Sequence, residues 1–222
     1  MILKFDVLGS PFVGNYGLVS NKYLITLDEL TERKLERMSG VLKVEVIGIR
    51  LLNCRIIRPF FAGNSNGIIV SKIVDDETVE RLKKSLADLK IEVLNSKYTA
   101  VGNLISANDK GGVVSPLFNK KEVKLIEDVL DIEVIQVTVS RATYVGSLLK
   151  SNNKGGIVTP YIREDEMERV KEILRVEIRV GTVNSGLHYV SAGILVNDYG
   201  AIVGKSTDGV ELMNVSQTFG VG

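Results

Sequence analysis

The segment Val101-Gly102-Asn103-Leu104-Ile105-Ser106-Ala107-Asn108-Asp109-Lys110-Gly111-Gly112-Val113-Val114-Ser115-Pro116 returns as Val145-Gly146-Ser147-Leu148-Leu149-Lys150-Ser151-Asn152-Asn153-Lys154-Gly155-Gly156-Ile157-Val158-Thr159-Pro160. Each copy leads into a charged, helix-like stretch and then a β-branched run. Weaker copies are anchored at Gly14, Gly63 and Gly193, which spaces the five anchor glycines 49, 39, 44 and 47 residues apart. A period of this size marks a repeat architecture. One supersecondary unit is copied because it cannot bury its apolar face alone.

The third copy defines the unit. Tyr98 to Ala107 reads as a strand, and Asn108 to Gly112 as a turn, because Asn, Asp and Gly tolerate positive φ. Val113 to Ser115 reads as a second strand stopped by Pro116. Asn119, with Glu122 three residues on, has the form of a capping box. Val123, Ile126 and Leu130 then fall at helical spacing, and Ile132 to Val139 reads as a third strand. The other copies fit the same order. A helix after Asp75 aligns Val79, Leu82, Leu86 and Leu89. Another buries Met167, Val170 and Leu174 ahead of a strand from Val176 to Val183. Repeat one places Leu27, Leu30, Leu35 and Met38 on a helix face. Repeat five is degenerate, with a helix of a turn or two near Val210 to Met213.

No Pro-, Gly- or Ser-rich linker separates the copies, so residues 1–222 read as one domain. An open stack needs polar terminal caps, yet Ile2 to Leu8 and Leu212 to Val221 are apolar. The expected fold is therefore a closed α/β propeller of five ββαβ units, with first and last repeats meeting.

Composition excludes several classes. The formal net charge of +1 argues against a globally basic nucleic-acid binder. Residues 41–72 nevertheless carry Lys43, Arg50, Arg55, Arg58 and Lys72 against Glu45 alone. They read either as a solvated strand edge or as a partner-binding patch. The single Cys54 cannot form an internal disulfide, which fits a reducing compartment. The N-terminus lacks the pattern of a signal peptide, and no apolar run reaches the ~20 residues of a membrane span. A cytoplasmic location is expected, with no membrane partner.

Little looks catalytic. Cys54 and His188 are the only residues of their types. Cys54 sits in an apolar run and reads as a buried core thiol, and His188 adjoins a turn. No His/Cys cluster exists to hold a metal. Gly200 to Ser206 has three residues between its glycines where a phosphate loop needs four, and those three suit a strand. The acids Glu164, Asp165 and Glu166 complement a helix dipole. Aromatics are sparse and not interleaved with basic residues, so a stacking platform is not expected. No cofactor is expected either.

Cys54-Arg55-Ile56-Ile57, Ala62-Gly63-Asn64, Val101-Gly102-Asn103, Gly181-Thr182-Val183-Asn184 and Ala192-Gly193-Ile194-Leu195-Val196-Asn197-Asp198, taken in this order, resemble the translation initiation factor six family of archaea and eukaryotes. The resemblance covers the whole chain. Ending at Gly222, the chain is similar to the archaeal form, which lacks a C-terminal tail. The resemblance implies the pentein fold, a five-fold pseudosymmetric αβ propeller. It also implies a non-catalytic monomer that binds the large ribosomal subunit through a ribosomal protein, near the sarcin-ricin loop of the rRNA. Bound there, the factor acts in subunit maturation and blocks the small subunit. The family's ribosome-facing Gly-Asn pair falls on Gly102-Asn103. Pseudosymmetry extends this rim to Asn15, Asn64 and Ser147, and the basic stretch adds Arg58. The alternative for these polar residues is that they satisfy turn backbone. The other pentein class, the guanidine-modifying enzymes, carries a nucleophilic Cys near the C-terminus. This chain has none after Cys54.

Overall fold

In the computed structural model, which describes residues 1–51 and 54–222, each repeat builds one three-stranded sheet. The chain opens with β1 (Ile2–Phe5). Repeat one comprises β2 (Gly17–Val19), β3 (Tyr23–Leu27), a helix Glu32–Leu42 and β4 (Glu45–Ile49). Repeat two comprises β5 (Phe61–Gly63), β6 (Gly67–Ser71), a helix Asp76–Ser85 and β7 (Lys90–Leu94). Repeat three has β8 (Ile105–Ala107), β9 (Gly112–Val114), a helix Lys120–Leu130 and β10 (Val134–Gln136). Repeat four has β11 (Leu149–Ser151), β12 (Gly155–Val158), a helix Glu164–Leu174 and β13 (Glu177–Val180). Repeat five has β14 (Ile194–Val196), β15 (Ala201–Gly204) and a helix Gly209–Phe219.

Each hairpin is antiparallel, and the strand after the helix returns parallel to the middle strand. Repeat five lacks that returning strand. β1 takes its place, pairing Ile2 with Ala201 and Phe5 with Gly204. The Met1 ammonium donates to the Gly222 carbonyl at 3.3 Å. Leu195 and Ile202 of repeat five pack in one core cluster with Phe5, Leu18 and Met38.

Local sequence explains most elements. Middle strands are covered on both faces, so they are near-continuous apolar runs. All five residues of Gly67–Ser71 are buried. The capping box forms as expected: Asn119 Oδ1 accepts the Glu122 N–H at 3.1 Å, and the Glu122 carboxylate accepts the Asn119 N–H at 2.7 Å. Asp75 caps the helix of repeat two.

Several boundaries move. Tyr98 to Ala107 is not one strand, since a helical turn Val101–Leu104 precedes β8. Third strands stop early because their partners β9 and β12 offer only three and four residues. Leu27 lies in β3, ahead of its helix. The helix of repeat five runs 11 residues, capped by Asp208 and Glu211. Its Gly, Asn and Thr are weak helix formers, but burial of Val215 and Phe219 overrides propensity.

The repeat register also changes. A Cβ at Gly102 would collide with the Arg58 carbonyl, at Gly146 with that of Gly102, and at Gly14 with that of Ser191. The equivalent positions are thus Gly14, Arg58, Gly102, Gly146 and Ser191, spaced 44, 44, 44 and 45. Gly63 and Gly193 are not anchors. The hairpin glycines Gly67, Gly111, Gly155 and Gly200 have ordinary φ. They are small because the carbonyls of Val129, Ile173, Thr218 and Val41 press against them. Close approach, and not turn conformation, selects glycine there.

Candidate functional site

The five hairpin turns gather at one end of the axis. Asn64, Asn108, Asn152 and Asn197 recur there at 44, 44 and 45 residues. Each side-chain amide donates to the backbone carbonyl of the next position: Asn108 at 3.1 Å, Asn152 at 3.1 Å, Asn197 at 3.0 Å and Ser20 at 3.0 Å. Each also donates to the last turn of a neighbouring helix, at Leu130, Leu174, Phe219 or Leu42. Each Oδ1 accepts the N–H groups two and three residues on. Repeat one has Ser20 in place of Asn, and the Tyr23 hydroxyl donates to the Asn64 carbonyl at 3.1 Å, returning the circuit to its start.

Asn64 is therefore a buried ring member, only 3% exposed. The expectation that it joins a rim with Asn15 and Asn103 fails, because its register is that of Asn108. The sequence signal for this ring was the even Asn spacing, masked by the misplaced anchors.

One residue further on, backbone N–H groups of Asn21, Ser65, Asp109, Asn153 and Asp198 each donate to the side chain of the next. The Asn153 amide bridges Asp109 at 2.7 Å and Asp198 at 2.9 Å, and Asn21 donates to Asp198 at 2.6 Å. These groups plug the axis. The cavity they line has about 30 Å³, room for a water or two. Lys150 also lines it. Burial, and then the Arg58 charge, lower the Lys150 ammonium to about 7.

The opposite end is built from the helical turns Val13–Tyr16, Arg58–Phe60, Val101–Leu104, Val145–Leu148 and Val190–Ala192. Arg58 occupies the anchor position of repeat two and is 6% exposed. Its guanidinium donates to the Gly102 carbonyl at 2.7 Å and the Gly146 carbonyl at 3.0 Å. Burial lowers its pKa to about 10, so it stays charged at neutral pH. Arg58 is a hub that ties three repeats, not a surface contact. Asn15, Asn103 and Ser147 do occupy equivalent, half-buried positions on these turns. None of their side chains has a hydrogen-bond partner among the described residues, so turn satisfaction does not explain them.

Large apolar side chains crowd the surface of this same end. Phe12, Ile56, Tyr144 and Tyr189 are exposed just before the helical turns. Ile73, Leu117 and Tyr161 are exposed just after the middle strands, and Leu8 sits in a link between repeats. His188, instead of serving a nucleophile, packs against Tyr161 and Tyr189 with centroids 5.5 and 4.2 Å away. Cys54 is half-buried, less enclosed than its apolar run suggested, and its Sγ donates to the Ile56 carbonyl at 3.4 Å; its neighbours Leu52 and Asn53 lie outside the described residues.

The basic stretch does not form one patch. Arg50 pairs with Asp28 and Arg55 with Glu29, at 3.3 and 3.1 Å, and Arg58 is buried. Lys43 caps the C-terminal end of its helix, and Lys72 follows β6 at the other end of the molecule.

Carboxylates organise the links between repeats. Ser140 and Arg141 have φ of 56° and 60°, a region L-residues avoid. Burial works to raise the Glu166 carboxyl. It is outweighed by hydrogen bonds from Thr138 Oγ1 and from the Arg141, Arg163 and Ser140 N–H groups, which hold the carboxyl below its ordinary value. The Glu211 carboxylate likewise accepts hydrogen bonds from Thr182 Oγ1 and from the Ser185 and Gly186 N–H groups. In repeat one the scheme is replaced by Asp6, clasped by Lys205 and by Lys34 at 3.2 Å.

The Lys205 hydrogen bond is the main cause that takes the Asp6 carboxyl from 3.8 to about 2. A carboxyl depressed on folding stabilises fully above its unfolded pKa and stops doing so as pH falls through its folded one. Asp6→Asn should thus lose about 1 kcal/mol at pH 7, after allowance for solvent screening. The difference from the parent should fade between about pH 4 and pH 2 in denaturant titrations. A difference constant across that window would refute the assignment.

Among the described residues, no helix is long and apolar enough to cross a membrane, and no cluster of three or more His, Cys, Asp or Glu is placed to hold a metal ion. The model of the eIF-6 family matches residues 2–218. The chain is 58% identical over 219 residues to translation initiation factor 6 of Hyperthermus butylicus, covering 98% of this chain and 97% of the relative. It is 39% identical over 223 residues to that of Pyrococcus furiosus, covering 99% and 98%. To that of Saccharolobus solfataricus it is 34% identical over 218 residues, covering 98% of each.

Proposed function

Because this chain belongs to the eIF-6 family, we propose that it is a translation factor that binds the large ribosomal subunit through the end of the axis bearing Asn103, and so keeps the small subunit from joining. The observation that carries the choice of face is the asymmetry of exposed apolar surface. Eight large apolar side chains, from Leu8 to Tyr189, ring that end. Large apolar side chains exposed together at one end of a molecule mark an interaction site. The free side chains of Asn15, Asn103 and Ser147 lie among them and supply polar contacts. The subunit's ribosomal protein and the rRNA near the sarcin-ricin loop are the partners, and the factor acts as a monomer during subunit maturation.

The role is steric and not catalytic. The guanidine-modifying penteins are expected to act through a nucleophilic Cys near the C-terminus, and none follows Cys54 in this chain. Here the Asp–Asn plug closes the hairpin end of the axis around a cavity with room for a water or two, and Arg58 bridges repeats at the opposite end.

Gradient co-sedimentation with separated subunits tests the reading. Binding to the large subunit alone is expected, and equal or absent binding to both would sink it. Asn103→Arg should weaken that binding about tenfold or more, or about 1.4 kcal/mol. Tyr199→Arg, on the exposed hairpin end, should change it little. If Tyr199→Arg lost binding while Asn103→Arg kept it, the face would be wrong. Asn152, although in a hairpin, is unsuitable as a control because it is buried in the ring.

A further inference from the structure

We propose that repeats four and five carry an aromatic notch that stacks an unpaired RNA base, with Arg141 receiving the adjoining phosphate. This rests on the reading that the Asn103 end is the ribosome-facing one. Tyr144, Tyr161, His188 and Tyr189 are scattered in sequence, and the fold gathers them. Tyr161 stands at 75° to the His188 ring, His188 is tilted against Tyr189, and Tyr189 lies 6.1 Å from Tyr144. Tyr161 is 67% exposed, so a ring face is open to a flat ligand.

The pseudosymmetry serves as an internal control. The positions equivalent to Tyr144 and Tyr189 hold Phe12, Ile56 and Ala100, and that of Tyr161 holds Glu29, Ile73, Leu117 and Ser206. Packing therefore tolerates Ala, Ile, Glu or Ser there, and the fold does not demand tyrosine. Arg141 gives a second, independent observation. It holds a left-handed conformation that Gly9 takes in the equivalent link. Strain of this kind persists where the surroundings impose it and marks functional sites. Glu166 imposes it through the backbone, which fixes where the exposed guanidinium leaves the chain. No carboxylate lies within 4 Å of that guanidinium among the described residues. Arg163, two residues past Tyr161, is instead paired with Asp165.

Aromatic faces with an exposed, unpaired arginine three residues before Tyr144 match a nucleotide's two parts, the π-face and the phosphate. A protein partner would have to bring a carboxylate to Arg141, and the octauridylate titration separates that case from RNA.

The test uses fluorescence anisotropy of an end-labelled, unstructured octauridylate, with a duplex of the same length as comparison. The single strand should bind at least tenfold more tightly than the duplex. Tyr161→Ala with Tyr189→Ala should weaken it at least tenfold while melting curves stay unchanged. Arg141→Ala should reduce the slope of log affinity against log salt by about 0.7, the release expected for one single-strand phosphate. Binding that is absent, or undiminished in the tyrosine variant, overturns the inference. If octauridylate binding is absent and the same variant loses the large subunit on gradients, the notch belongs to a ribosomal protein, and the proposed function stands. If the parent binds octauridylate through the notch but ignores the large subunit, the proposed function fails and the notch remains.

Discussion

A chain lacking residues 1–8 is expected to unfold or aggregate as a whole, not to lose one strand. β1 is the third strand of repeat five, and its loss uncovers the edge of Ala201–Gly204, all four residues of which are buried. An uncovered apolar edge is a template for pairing between molecules. Phe5 and Val7, 3% and 0% exposed, leave the core at the same time. Burial of two such side chains is worth roughly 3–6 kcal/mol, against a total stability of about 5–15 kcal/mol for a typical domain. The Asp6 clasp on Lys34 and Lys205, which ties repeat one to repeat five, also disappears. Size-exclusion chromatography and thermal melts decide the matter. A monomer with a near-unchanged melting temperature would mean that the repeats stand as an open array.

Asn152→Ala, like the same change at Asn64, Asn108 or Asn197, should cost roughly 4 kcal/mol or more. The Asn152 side chain serves four backbone groups at once: the carbonyls of Asn197 and Phe219 and the N–H groups of Lys154 and Gly155. Each buried group left without a partner costs about 1–3 kcal/mol. Tyr23→Phe removes only the one link that stands in for Asn in repeat one, so about 1–2 kcal/mol is expected there. Urea unfolding of the two variants should keep this order. Equal losses would mean that the ring is not the shared determinant.

Much of the architecture was legible because the repeat is written in short-range signals. The Asn119–Glu122 box, the Asp75 cap and the β-branched strands act within a few residues, and the paired segments at 101 and 145 fix the period. The register of repeats two and five was not legible. Arg58 and Ser191 replace the anchor glycine there, so matching on glycine slid the frame to Gly63 and Gly193. Only the third dimension reveals why a glycine is wanted, namely a neighbouring carbonyl against its Cα. The same slip put Asn64 on the wrong end. Arg58 looked like a surface cation because its partners, the carbonyls of Gly102 and Gly146, are 44 and 88 residues away. The aromatic notch was hidden for a similar reason, since residues 144, 161, 188 and 189 become neighbours only when two repeats pack. The helix of repeat five was underestimated because Gly209, Asn214 and Thr218 are poor helix formers, which tertiary burial offsets.

The meeting of Met1 with Gly222, with β1 seated in the last sheet, makes the covalent order of the repeats arbitrary. A peptide bond across that gap and a cut in any link between repeats would give a circular permutant whose contacts are those already present. The five seams between repeats are thus alike in space, and the one where Met1 meets Gly222 lies at the hairpin end, opposite the apolar ring.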